Sequence, residues 1–104
     1  PLVLLGEDGA KWGAGEHSAF AINGKSWVNN HAHVLRLLEG IENNFVCHCL
    51  NSLDLTGYIT GTTVPKLNQE KMRTILIPIP PFTEQKRIVA KVEEVRKLMQ
   101  SLTK

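Results

Sequence analysis

No apolar run in this sequence approaches the roughly 20 residues that cross a bilayer. No signal peptide is visible either. A membrane partner is therefore not expected. Cysteine is scarce: the chain holds 2, both in Cys47-His48-Cys49. Cysteines this close seldom bridge each other, so we expect no disulfide framework and a reducing, cytoplasmic setting. Length is limited as well. The 104 residues favour one domain at most, and a domain of that size buries only a modest core. The chain opens with Pro1 directly on Leu2-Val3-Leu4-Leu5. We read it as a fragment or processed piece whose upstream strands are expected to lie outside it.

Catalytic patterns are also lacking. Asn23-Gly24-Lys25-Ser26 looks like the end of a phosphate-binding loop, but the first glycine of that motif would fall at Ala19, and Trp27-Val28 reads as strand where a helix is required. His31-Ala32-His33 and Cys47-His48-Cys49 invite a zinc site. A tetrahedral site needs converging ligands. On a helix, Cys47 and Cys49 point about 200° apart, so a core cysteine and surface histidines are the simpler reading. Asn29-Asn30-His31 resembles the amides and histidine of some nucleases, yet no acidic cluster accompanies it to hold magnesium. Cys47 with a histidine could form a nucleophile pair, but nothing local orients it. No catalytic residue, metal or cofactor is assigned.

What the chain does have is charge asymmetry and one well-marked helix. Residues 1–65 carry 3 bases against 6 acids, and residues 66–104 carry 9 bases against 4 acids. A basic C-terminal part suits phosphate contact; its plain alternative is a solvated helix face. Leu2–Leu5 reads as a buried strand broken by Gly6-Glu7-Asp8-Gly9, followed by a loop with Lys11 and Trp12. Phe20–Ile22 reads as a short strand, Asn23-Gly24 as a hairpin turn and Ser26-Trp27-Val28 as the return strand. A further strand is expected over residues 31–38. Phe45, Val46, Cys49, Leu50 and Leu53 recur at helical spacing, which predicts a helix from about Glu42 to Leu53. Tyr58-Ile59-Thr60 is expected as a short strand. Asn68 caps a short helix reaching about Arg73. Residues 75–79 read as an edge strand or strand end, because Pro78 lacks a donor.

Pro80-Pro81 stops that strand, and Thr83 is the expected N-cap of a long last helix, with Glu84 where the helix dipole favours negative charge. Ile88, Val92, Val95, Met99 and Leu102 follow at spacings of four, three, four and three, a heptad seam over two repeats. A helix of this length is marginal alone in water, so the stripe needs a partner. That partner is either the chain's own body or another helix.

Residue types suited to DNA cluster in the loops. Asn pairs with adenine, Lys with guanine, and Thr meets the thymine methyl. Trp12, Asn29, Asn30, His31, His33, Thr62, Thr63 and Lys66 are the candidate DNA-binding residues, each with the alternative of an ordinary loop role. Lys86, Arg87 and Lys91 begin the long helix and suit phosphates, positioning a duplex without reading it.

Three blocks carry a family resemblance: Gly6-Glu7-Asp8-Gly9; the run from Val28 to Arg36; and the stretch from Ile59 to Ile88, with Val64-Pro65-Lys66-Leu67-Asn68, Pro80-Pro81 and Glu84-Gln85 in order. The chain resembles the C-terminal part of a target recognition domain, plus the start of the spacer helix, in the specificity subunit of type I restriction-modification enzymes. The resemblance implies a non-catalytic DNA reader. In that family two such domains are held apart by two long antiparallel helices, which dock modification subunits that methylate adenine using S-adenosylmethionine. A restriction subunit binds further out. The expected fold is α+β: a small, partly incomplete β-sheet with short helices, then one long C-terminal helix. Residues 1–82 are the expected partial recognition domain and residues 83–104 the spacer. The expected partners are double-stranded DNA and the modification and restriction subunits. The rival reading is a truncated module that homodimerises through its C-terminal helix without binding DNA.

Overall fold

The computed structural model describes residues 2–8, 10–22 and 31–102. Its elements are β1 (Leu2–Gly6), β2 (Ala19–Ile22), β3 (Ala32–Leu35), α1 (Asn43–Ser52), α2 (Gln69–Met72) and α3 (Phe82–Leu102), with a 3-10 turn at Thr56–Tyr58. The architecture is α+β. The sheet is antiparallel with β1 central, in the order β2-β1-β3.

Alternation along β1 decides which face is core. Val3 and Leu5 are buried and Leu4 is half-buried, as period-two side-chain direction requires. Across from Leu5 lie Ala19 on β2 and His33 on β3. Leu4 faces the other way, beside the exposed Phe20 and Val34. The inner face packs on α1, which supplies Val46, Cys47 and Leu50. Trp12, Leu55 and Leu67 complete the same core from the loops.

α1 is tied to the sheet by a polar device as well. The Asn51 side chain is buried and faces the backbone of Ala19, accepting from its N–H at 2.8 Å and donating to its carbonyl at 3.0 Å. The amide thus bonds the backbone of β2 much as another strand would. At its other end α1 is capped by Glu42, whose carboxylate accepts from the Phe45 N–H at 2.8 Å.

Three expected elements differ. The strand expected over 31–38 spans only Ala32–Leu35, its register on β1 running from Gly6 to Val3. Tyr58 to Thr60 is not a strand: Asp54 accepts from both the N–H and the hydroxyl of Thr56 and so starts a turn instead. Those bonds, the side-chain one first, hold the Asp54 carboxyl below its ordinary range. Residues 75–79 form no strand of a sheet. Ile75 and Ile77 pack on the core while Leu76 and Ile79 are exposed, so the alternation is real, but Pro78 and Pro80 have no N–H to offer a ladder. The expected hairpin at Asn23-Gly24 and return strand Ser26-Trp27-Val28 lie outside the described residues.

The helix expected at about Glu42–Leu53 is α1. The Asn68 cap is present too, its side chain accepting from the Lys71 N–H at 2.8 Å. α3 opens at Phe82, a residue before the expected Thr83 cap, and the Pro81 carbonyl accepts from the N–H groups of Glu84 and Gln85. Among the described residues no helix is long and apolar enough to cross a membrane.

Candidate nucleic-acid interface

The C-terminal end of β1 organises one rim of the molecule. Gly6 is needed there, since a Cβ would meet the Ala10 Cβ at 2.5 Å. Beyond it the chain is gripped from two sides. The Glu7 N–H donates to the His31 carbonyl at 2.9 Å, and the Glu7 carbonyl accepts from the Leu67 N–H at 2.7 Å. Asp8 forms an antiparallel bridge with Lys66. Its carboxylate also meets His31 Nδ1 at 2.6 Å, with His31 largely exposed. Residues far apart in sequence therefore converge on Glu7-Asp8.

Lys66 is pinned from its other side. Lys66 and Thr60 exchange both backbone hydrogen bonds, at 2.8 and 2.9 Å. The intervening residues must reverse direction in a tight loop. Gly61 does so at φ +91°, where a Cβ would strike the Val64 carbonyl oxygen at 2.5 Å. This conformation suits glycine alone. The loop carries Thr62, Thr63, Val64 and Pro65 outward, all exposed, with Lys66 at its base.

Not every candidate faces outward. His33 is half-buried and donates from Nε2 to the Leu67 carbonyl at 2.6 Å. That bond straps β3 to the segment after Lys66, so His33 serves the rim as a strut. Trp12 lies in the loop after β1 but turns inward. It is 7 % exposed, and its Nε1–H donates to the Gly6 carbonyl at 3.1 Å. Its ring belongs to the core cluster. Asn29 and Asn30 lie outside the described residues.

The cysteines of α1 are held as thiols. Burial, with the Glu42 charge second, pushes the Cys47 thiol up to about 11, and burial raises Cys49 too. Both thiols are thus poor sources of thiolate. Among the described residues no group of three or more His, Cys, Asp or Glu gathers to hold a metal. A recess of about 290 Å³ between α1 and α3 is lined by Phe45, His48, Cys49, Ile88, Val92 and Arg96.

Comparison with known proteins identifies the family. The sequence model of the type I restriction modification DNA specificity domain matches residues 3–104. The chain belongs to this specificity family. A putative type I restriction enzyme specificity subunit from Haemophilus influenzae is 36% identical over 88 residues, which is 85% of this chain and 23% of that protein. The chain thus spans about a quarter of the length of that relative. No solved structure gives a match.

Within the specificity domain, the rim brings Gly6-Glu7-Asp8 of the first block against the segment 64–68. The two blocks are joined through Asp8 and Lys66. Two residues of consequence were not singled out from sequence. Asp8 could have been suspected from its place in the first block. Gln85 is fully buried in the first turns of α3, and only its place after Pro80-Pro81 and Glu84 hinted at a fixed role. The heptad residues divide as well: Ile88 and Val92 are half-buried, whereas Val95, Met99 and Leu102 are exposed.

Proposed function

We propose that this chain is a DNA-reading part of a type I specificity subunit. It does no chemistry, and it directs methyltransferase and restriction subunits to a sequence. The single observation that carries the reading is the junction of Lys66 with Thr60 and Asp8, which sets His31, the loop 61–65 and Lys66 along one rim. Lys66 is the guanine reader and Thr62 and Thr63 meet thymine methyls, with Asn29 and Asn30 as amide readers of adenine. His33 supports the rim and Trp12 supports the core. Lys86, Arg87 and Lys91 at the start of α3 meet phosphates. The seam Ile88, Val92, Val95, Met99 and Leu102 belongs to the spacer.

Selection from a pool of randomised duplexes at low and moderate salt tests this reading. An enriched short motif is expected, with affinity falling steeply as salt rises. Replacing Lys66 by Ala should then cost about 1–3 kcal/mol against the preferred duplex and relax the preference at one position. A pool that leaves unenriched at both salts overturns the reading.

The exposure of Val95, Leu98, Met99 and Leu102 favours a second reading, a homodimer through α3 that binds no DNA. Sedimentation of wild type beside a Val92→Glu, Val95→Glu variant distinguishes them. A wild-type dimer that the variant dissociates supports it. Two monomers end it.

A further inference from the structure

The base of α3 holds a feature that neither DNA reading nor helix pairing explains. Gln85 is 0% exposed, although it is polar and lies one turn into a helix that is otherwise mostly exposed. Burying a side-chain amide is costly unless its hydrogen bonds are made. Here they are made to three separate points of backbone. Oε1 accepts from the Glu42 N–H at 2.8 Å. Nε2 donates to the Gly40 carbonyl at 3.0 Å and to the Pro80 carbonyl at 2.9 Å. Both amide donors are thus used, in two directions.

Those three points belong to different parts of the chain. Pro80 is the approach to α3. Gly40 closes the turn after β3, and Glu42 is the cap of α1. A single planar amide therefore links the start of α3 to the turn at Gly40 and the cap of α1, which itself packs on the sheet. Such a link constrains angle as well as distance, because a primary amide has fixed donor and acceptor directions. Further along, Ile88 and Val92 are half-buried beside α1, and from Val95 onward the apolar positions of the helix are exposed.

We propose that Gln85 is the positioning residue that sets the direction of α3 relative to the sheet and α1. The inference deepens the proposed function and rests on it for its biological meaning, since the helix direction decides where a recognition rim hangs from a spacer. The leverage is large. From Gln85 to Leu102 the helix runs about 25 Å at ~1.5 Å per residue. A tilt of about 10° at its base therefore moves the tip by roughly 4 Å, more than one base-pair rise along a duplex.

The test reads the angle itself. Nitroxides carried on non-natural residues at the exposed positions Glu70 and Lys97 report the body-to-helix distance by pulsed electron resonance in the full chain. Wild type should give one narrow distribution. Gln85→Met keeps the length and volume of the side chain and removes every hydrogen bond; its distribution should broaden and shift while circular dichroism stays unchanged. A Gln85→Met variant that loses thermal stability but keeps the narrow wild-type distance overturns the proposal, because packing then sets the angle. Should the variant fail to fold, amide hydrogen exchange at Glu42 in the unaltered protein decides. Slow exchange, with the α3 core, supports the link, and exchange at the rate of an open loop overturns it. A wild type that binds no duplex, alongside a Gln85→Met variant with a shifted distance, would sink the DNA-reading proposal and leave this one standing.

Discussion

The two halves of α3 carry the same heptad pattern and live in different surroundings. The proximal half holds the buried Gln85 and the half-buried Ile88, Val89 and Val92. The distal half leaves Val95 43 %, Leu98 58 %, Met99 61 % and Leu102 83 % exposed. The Lys91–Glu94 pair at 3.8 Å is an exposed surface pair, of a kind worth little. About ten residues of helix are too few to persist alone in water, so the distal half is held by continuation from the anchored half. The comparison separates two questions that a heptad merges: whether an apolar stripe exists, and what covers it.

The largest effects should come from the side of the molecule that anchors α3. Leu55 is fully buried between the sheet and the loops. Replacing it by Ala should cost about 2–5 kcal/mol, read as a lower urea midpoint at unchanged slope. For a domain with so modest a core, that loss leaves much of the population unfolded. The distal turns of α3 should melt with the body that anchors the helix. Distal helicity that survives in this variant would break the comparison, because it would require a second source of support.

Asn51→Ala should come next, at about 1–3 kcal/mol, because it leaves the buried N–H and carbonyl of Ala19 without their partner. Hydrogen exchange should quicken at Ala19 first and at the α3 amides least. The device was not legible in the sequence. An Asn near the end of a helix ordinarily marks a terminus or a turn, and nothing local says that a strand edge thirty residues away lacks hydrogen bonds.

The sequence was most legible where local rules suffice. The α1 stripe, the Asn68 cap and the long last helix follow from spacing and capping alone. The reading failed where a local turn or proline opposed a strand pattern, and where a tertiary contact drew a residue inward. Tyr58-Ile59-Thr60 has strand residues, but Asp54 turns the chain before they can pair. Residues 75–79 alternate as a strand does, yet the prolines spoil the ladder. Trp12 reads as a loop aromatic because its neighbours are glycines, while its own indole is drawn into the core. The rim was legible as residue types, through Thr62, Thr63, Lys66 and His31. Its assembly through Asp8 was not, since bridges between residues 8 and 66 leave no periodic signal.

A smaller effect should appear with pH at the joint between α1 and α3. His48 Nε2 is shut from solvent with no hydrogen-bond partner among the described residues. Burial first, and the Arg96 charge second, lower its pKa from the ordinary 6.5, against the opposing charges of Glu93 and Glu42. The folded chain thus holds the neutral ring while the unfolded chain takes up a proton. This contribution to stability is complete above about 6.5 and is lost as pH falls from there toward the lowered native value. The thermal midpoint should drop between pH 7.5 and 5.5 by more in wild type than in a His48→Gln variant. Equal drops would mean that the imidazole is not held neutral at this joint.

The smallest effect is the most telling for the distal half. Met99→Ala with Leu102→Ala removes two large side chains from the seam. If the seam is uncovered in solution, stability should change by no more than about 0.5 kcal/mol, as at other exposed sites. The result should not depend on protein concentration. If another helix covers the seam, the same pair of changes costs more, and the cost grows as the protein is concentrated, because association adds to apparent stability by mass action. Urea unfolding of this variant at two concentrations a hundredfold apart therefore sharpens the comparison in either direction. Coincident curves keep the distal half bare, and curves that separate in wild type but not in the variant assign it a partner of its own kind.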